Sequence, residues 1–395
     1  MLYIKLYIEN VLTPIIRKNI VPYIQFIPYK GAIMKSLIRI SMLASLLISN
    51  NTQPISKPNK IQAGDPYVLI SQEAERFKFE QNIPGIAIAV YYKDTEYFYI
   101  SGLADVEKNK LVARDTIFEI GSVTKVFTST LLAQEAVKRP SILDSTLEKY
   151  LEYLKTHKCA LNKITLKQLA THTSSLPTDA PSGSTNTETE IGLIEAFLQW
   201  EPVSKIGAVH SYSNVGYRFL GFALQNHLNK SYLDALKEAI FTPLAMTHTL
   251  LDVPSHLDYL YAQGYNGMLQ PANRTVTHQP GSSGSLRSNI TDMMQFLKAS
   301  LRLIGPDSLK KAMNIAQTGD FRVSVAMVQG LGWQCFTSQT TQIEMKEKNG
   351  ATNGFASHIG IVPTHTLGIV VLTNKIGGQK VTTFARSLLN QLISL

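Results

Sequence analysis

A serine and a lysine three residues apart, Ser122 and Lys125, fall in FEIGSVTKVFT, where a helix is expected to begin. At that spacing the two side chains share one helical face, so an amine can reach a hydroxyl. A helix start offers free N–H groups and the positive end of a dipole. Both favour negative charge near the serine and help a buried lysine stay neutral enough to act as a base. The chemistry on offer is nucleophilic attack by an activated hydroxyl. The spacing alone is weak evidence: Ser308 and Lys311 repeat it in a polar stretch, and a capping serine would explain Ser122 as well.

Two more groups could complete such a site. Tyr212-Ser213-Asn214 is the one Y-x-N triplet in the chain and sits in a loop, AVHSYSNVGY, just before a helical stretch. Its phenol could relay protons if neighbouring cations lower its pKa, and Asn214 could bond both a lysine and a substrate amide. A buried tyrosine closing a loop is the plainer reading. Lys348-Asn349-Gly350 precedes Ala351 at the edge of a strand-like run. A lysine there can read a carboxylate, Gly350 lets a ligand approach the backbone, and the next N–H can serve an oxyanion. An ordinary charged strand edge is again the alternative, and Lys205-Ile206-Gly207 and Lys375-Ile376-Gly377 match the same pattern.

The elements that would position these groups can be read around them. A helix is expected over 67–81, ending before Pro84-Gly85, then a hairpin of 87–93 and 96–102 turning at Asp94-Thr95. The Ser122 helix runs to about Pro140. Residues 141–250 are mostly helical in pattern with polar breaks, and 290–304 forms an amphipathic helix with Thr291-Asp292 near its start. LGWQCFTS, TQIEMKEK, FASHIGIVP and TLGIVVLTN are four strand-like runs before a closing helix at 381–394. Strands at both ends and helices between imply an α/β (α+β) fold: an antiparallel sheet flanked by helices, plus a mainly helical lobe at about 141–284. The groove between the two is where a site belongs.

Composition bounds the possibilities. Of 395 residues 44% are hydrophobic and 17% charged, which excludes a disordered chain. Residues 1–33 read as a segment upstream of the true start at Met34. Residues 34–52, basic at Lys35 and Arg39 and apolar over Ile40–Ile48, read as a secretory signal peptide too short to span a bilayer. A longer membrane-bound leader is the rival reading. Residues 53–65 read as a linker and 66–395 as the catalytic domain. Setting aside the five surplus positive charges of 1–52 reduces the net charge from +9 to +4, too mild to argue for nucleic acid. The nine histidines show no metal-ligand spacing. Cys159 and Cys335 are expected to be free buried thiols, although export would permit a bridge.

In order, S-x-x-K, Y-x-N and K-x-G make the chain resemble the serine β-lactamase and penicillin-binding superfamily, most closely the class C β-lactamases. ITLKQLATHTSSLP, FTPLAMTHT, QGLGWQ, KNGATNGF and LGIVVLTNK look like class C blocks in the right order, so the likeness runs from about Ile83 to the end. The resemblance implies a β-lactam-hydrolysing acyl-serine enzyme. Ser122 would be the nucleophile, Lys125 and Tyr212 the acid/base pair, and Asn214 the group that positions Lys125 and the substrate amide. Lys348 would face the substrate carboxylate with Asn349 and Gly350 beside it, and the N–H groups of Ser122 and Ala351 would form the oxyanion hole. No cofactor is implied. The expected partner is a small β-lactam or a cell-wall peptide, and the expected state is a periplasmic or secreted monomer without a membrane span after signal removal. A DD-peptidase or esterase of the same superfamily, or a non-catalytic penicillin-binding protein, are the alternatives.

Several positions depart from the class C pattern. Position 349 normally holds Thr and here holds Asn. PGSSGSLRS (280–288) stands where a tyrosine-bearing Ω-loop is usual and looks more like esterase and DD-peptidase relatives. Thr178-Asp179 replaces an expected Gln, Ile376 replaces an expected Asn, and the stretch from Trp333 to Lys348 is short. These changes spare the acylation residues and touch those that select the substrate.

Overall fold

The computed structural model describes residues 64–338 and 341–395. The segment 1–33, the signal peptide 34–52 and all but the last two residues of the linker 53–65 lie outside the described residues.

Among the described residues, nine strands form one antiparallel sheet in the order β3-β2-β1-β11-β10-β9-β8-β7-β6. In chain order these are β1 (Gly85–Tyr92), β2 (Thr95–Asp105), β3 (Lys110–Leu111), β6 (Phe321–Arg322), β7 (Met327–Gln329), β8 (Gln334–Thr337), β9 (Glu344–Ala351), β10 (Ala356–Val362) and β11 (Leu367–Thr373). A two-stranded ribbon, β4 (Phe118–Glu119) with β5 (Arg287–Ser288), stands apart. The first and last strands pair in the middle of the sheet, Ile86 opposite Thr373 through Tyr91 opposite Gly368, so the two ends of the described chain close it together. The antiparallel sheet with flanking helices is the fold class expected from the sequence.

Alternation along β1 explains why the sheet is covered on both faces. Ala87 and Ala89 belong to a core shared with the helices of the chain's middle, while Ile86, Ile88 and Val90 belong to a second core beneath the terminal helices. That second face packs on α1 (Pro66–Glu80) and α10 (Gly378–Ile393), whose Phe77 and Phe384 rings stack at 4.3 Å. The other face receives α8 (Ile290–Ser300). The helix that follows the Ser122 turn, α2 (Thr124–Lys138), lies among helices, touching α9 (Asp307–Gln317) and α6 (Asn214–Leu228), and its Phe127 stacks on Phe296 of α8 at 3.8 Å.

Local boundaries differ from the expected ones for identifiable reasons. The hairpin turns at Lys93-Asp94 rather than Asp94-Thr95, both residues adopting positive φ as a tight two-residue turn requires. The helix at 290 ends at Ser300, short of 304, because Arg302 and Gly305 take positive φ just beyond it. Its cap is Asn289, whose side chain accepts from the Asp292 N–H. In the stretch expected to be mostly helical, only α6 is long. α3 (Tyr153–Thr156), α4 (Leu166–Ala170), α5 (Glu190–Glu195) and α7 (Tyr232–Leu236) are short. Thr165, Thr189 and Ser231 each cap the start of one of them, so several residues that look like interruptions are helix starts. Cys159 and Cys335 are both free. Cys335 is buried, which pushes its thiol up to about 11, whereas Cys159 is only half-buried.

Candidate active site

The turn that carries Ser122 is a short 3-10 segment, Gly121–Val123, that leads directly into α2. Gly121 has φ +48°, and a Cβ there would stand 2.7 Å from the Ala351 N, so only glycine lets this turn meet the end of β9. Gly350 is needed for the same reason from the other side: its Cβ would lie 2.1 Å from the Ile120 carbonyl oxygen and 3.0 Å from the Ser122 N. The Ser122 and Ala351 backbones are thereby held side by side.

Ser122, Lys125, Tyr212 and Asn214 come together. The Ser122 Oγ lies 2.7 Å from the Tyr212 hydroxyl and 3.3 Å from the Lys125 Nζ. Lys125 donates to Asn214 Oδ1 at 2.8 Å and also to the Ser283 carbonyl. Asn214 opens α6 with Ser213 as its cap; the Ser213 hydroxyl accepts from the Gly216 N–H at 2.8 Å and donates to the Pro177 carbonyl at 2.6 Å. Asn214 is therefore fixed both by a helix start and by the lysine it touches.

Burial sets the protonation of this cluster. Lys125 is fully buried and its ammonium is driven well below the usual lysine range, first by desolvation and then by the charge of Lys348. The faces of Tyr212 and Tyr217, 4.8 and 5.3 Å from Nζ, oppose this by stabilising a cation. Each ring contributes about 0.5–2 kcal/mol, while burying one ion costs about several kcal/mol, so desolvation wins. Lys348 is lowered to about 8 by burial, partly offset by Glu347. Tyr212 is pushed up to about 12, again chiefly by burial. The expectation that nearby cations lower this phenol is thus corrected: a largely neutral Lys125 supplies little positive charge, and desolvation outweighs the Ser122 hydrogen bond.

β9 forms the other wall. Its pairing with β8 ends at Glu347 opposite Gln334, leaving Lys348 to Ala351 as a free edge. The Lys348 Nζ lies 5.3 Å above the Tyr212 ring. Asn349 falls on the opposite face of the strand, opposite His358 in register, with its Nδ2 3.8 Å from where a Cβ of Gly378 would be. A groove of about 380 Å³ runs between the walls, lined by Ser122, Asn214, Ser283, Ser285 and Ala351 together with Asp179. A hollow of about 430 Å³ beside Phe77 and Lys375 contains none of these groups.

Three contributors are not singled out as site residues in the sequence, although Ser283 and Thr178 fall in stretches that depart from the class C pattern. Ser283 acts through its carbonyl, which any residue would supply. His172, buried and held neutral by desolvation, accepts from the Ser213 N–H at 3.1 Å and packs its ring 4.5 Å from that of Tyr212. Thr178 accepts the Asn214 and Val215 N–H groups through its backbone.

The fold is shared with β-lactamases of known structure. A class C β-lactamase from Rhodobacter sphaeroides superposes with a TM-score of 0.75 at 27% identity, covering 83% of this chain and 99% of its own. A β-lactamase/D-alanine carboxypeptidase from Pseudomonas syringae does so at 0.76 and 26%, covering 82% and 98%. Among sequences, a β-lactamase of Psychrobacter immobilis is 26% identical over 385 residues, 88% of this chain and 92% of its own length. That of Escherichia coli K12 is 28% identical over 375 residues, 84% and 94% respectively. The β-lactamase family profile matches residues 69–391, and the chain belongs to that family.

Proposed function

We propose that the protein hydrolyses the β-lactam amide through an acyl-serine intermediate. The observation that carries this reading is the hydrogen-bonding reach among Ser122, Lys125 and Tyr212 at the edge of a groove. A neutral amine has two N–H donors and one lone pair. The donors of Lys125 go to Asn214 Oδ1 and the Ser283 carbonyl, which leaves the lone pair for the Ser122 proton. Ser122 Oγ attacks the lactam carbonyl carbon as its proton passes to Lys125. The oxyanion is held by the N–H groups of Ser122 and Ala351. The carbon–nitrogen bond then breaks, the Tyr212 phenol gives its proton to the departing nitrogen, and the resulting phenolate recovers the proton that Lys125 took from Ser122. Water repeats the sequence on the ester, releasing the acid and restoring Ser122. The substrate carboxylate lies along this strand edge, where Lys348 reaches it from one face of β9 and the Asn349 side chain from the other, and Gly350 leaves the backbone open to it.

A peptidase or esterase reading draws on one observation: Gly284 stands over Ser122, its Cβ position 3.9 Å from the Ser122 N, in the Gly- and Ser-rich stretch 280–288. Nitrocefin hydrolysis combined with mass spectrometry after penicillin separates the readings. Turnover supports a β-lactamase, a lasting adduct without turnover a DD-peptidase, and neither an esterase or a non-catalytic protein.

Asn349→Thr is expected to raise kcat/KM on nitrocefin about tenfold, because a shorter hydroxyl places its donor nearer a carboxylate at the strand edge, and a well-made bond to a charged group is worth about 1.5–3 kcal/mol. Unchanged or reduced turnover shows that position 349 does not limit the reaction and moves attention to 280–288.

Export completes the proposal. No helix among the described residues is long and apolar enough to cross a membrane. A chain begun at Met34 is expected to be cut near residues 49–53 and recovered outside the cytoplasm, because Lys35 and Arg39 precede the apolar run Ile40–Ile48. N-terminal sequencing that finds Met1 or an intact Met34 in active protein overturns this.

A further inference from the structure

Asp179 occupies an unusual place for a carboxylate. It lines the same groove as Ser122, next to Asn214, and it is exposed to the groove's solvent. Its Oδ1 accepts from Asn214 Nδ2 at 3.3 Å, while the other end of the same amide holds Lys125. The other acid of the groove, Glu188, is already matched: it pairs with His278 at 2.8 Å, lies 3.6 Å from Arg218 and accepts from the Gln279 N–H. Asp179 has no ion-pair partner within 4 Å among the described residues. Its carboxylate therefore adds negative charge to the groove wall beside Asn214, where the groove-lining Arg218 and the buried Lys125 feel it without forming an ion pair with it.

We propose that Asp179 selects substrates whose acyl side chain carries an ammonium group, so that the groove reads a carboxylate at Lys348 and a cation at Asp179. This rests on the acyl-serine reaction proposed above and adds the chemistry of the substrate's other end. An exposed pair of this kind is modest, about 0.2–1 kcal/mol, which corresponds to about a 1.4- to 5-fold preference for each unit of charge. Because the charge is exposed, the preference fades as salt rises.

Ampicillin, benzylpenicillin and carbenicillin differ at one side-chain position, which bears an amine, hydrogen or a carboxylate, and they serve as the probes. At pH 6 and low salt, kcat/KM of the wild type is expected to fall in that order, spanning about 2- to 25-fold overall. Asp179→Asn keeps an oxygen to accept the Asn214 N–H and removes only the charge. The ordering should collapse in this variant whatever its absolute rate, and Asp179→Lys should reverse it. A change in Lys125 through Asn214 would scale all three substrates together and leave their ratios alone. Ratios that stay the same in all three proteins, with turnover intact, overturn this inference while leaving the acyl-serine reading standing. A wild type that none of the three acylates overturns both.

Discussion

Ser122→Ala abolishes covalent labelling by penicillin and lowers nitrocefin hydrolysis on the order of 10³-fold or more, because nucleophile and base act as one unit and neither retains its function alone. The deletion removes one oxygen from a turn whose geometry is set by Gly121 and Gly350, so the fold survives. The direct cost is one hydrogen bond from the buried Tyr212 hydroxyl, about 1 kcal/mol, small beside the loss of activity. Intact-mass measurement after penicillin is the check, and an adduct persisting on the Ser122→Ala protein refutes the assignment. Ser308→Ala is the control. Ser308 and Lys311 share the spacing of Ser122 and Lys125, but both are exposed on α9.

That comparison shows which part of the site was legible in the sequence. Spacing placed Lys125 near Ser122 because the two are joined by one turn of chain, and the Y-x-N triplet in a loop before a helical stretch pointed to Asn214. What brings residue 122 within 2.7 Å of residue 212 is the packing of α2 against α6, which no local pattern encodes. Burial was equally invisible, and it decided the protonation states. The phenol of Tyr212 titrates upward because it is enclosed, not downward as its basic neighbours suggest. The sheet was readable where strands are long and apolar, as in β10 and β11, and unreadable in β6 and β7, whose two and three residues are too short for a period to register. Asn349 stood out as a changed motif letter, but its position across the strand from Lys348 follows from the pleat and the register, and so does the closeness of its amide to Gly378.

Lys125→Met separates what the lysine does for the reaction from what it does to the fold. Loss of the base should lower acylation by about 10²–10⁴-fold, typical of a positioned general base. In the wild type, kcat/KM should rise with pH as the amine loses its proton through its lowered pKa, and this limb should vanish in the variant. Stability should move the other way. The folded-state pKa of Lys125 is depressed by burial and by Lys348, so between that value and the ordinary lysine value the unfolded chain binds more protons than the folded one. Wild-type stability therefore gains from this group as pH rises through the window and loses as pH falls through the folded pKa. Methionine fills a similar volume without a charge to desolvate. The stability difference between Lys125→Met and the wild type should then favour the variant most at low pH and shrink towards pH 10. Lys348 titrates in both proteins, and because its charge acts on Lys125 the pH dependence of the difference belongs to the pair. Denaturant unfolding at several pH values measures it, and a difference independent of pH would show that Lys125 is not held neutral by its surroundings, leaving Tyr212 as the group that takes the Ser122 proton.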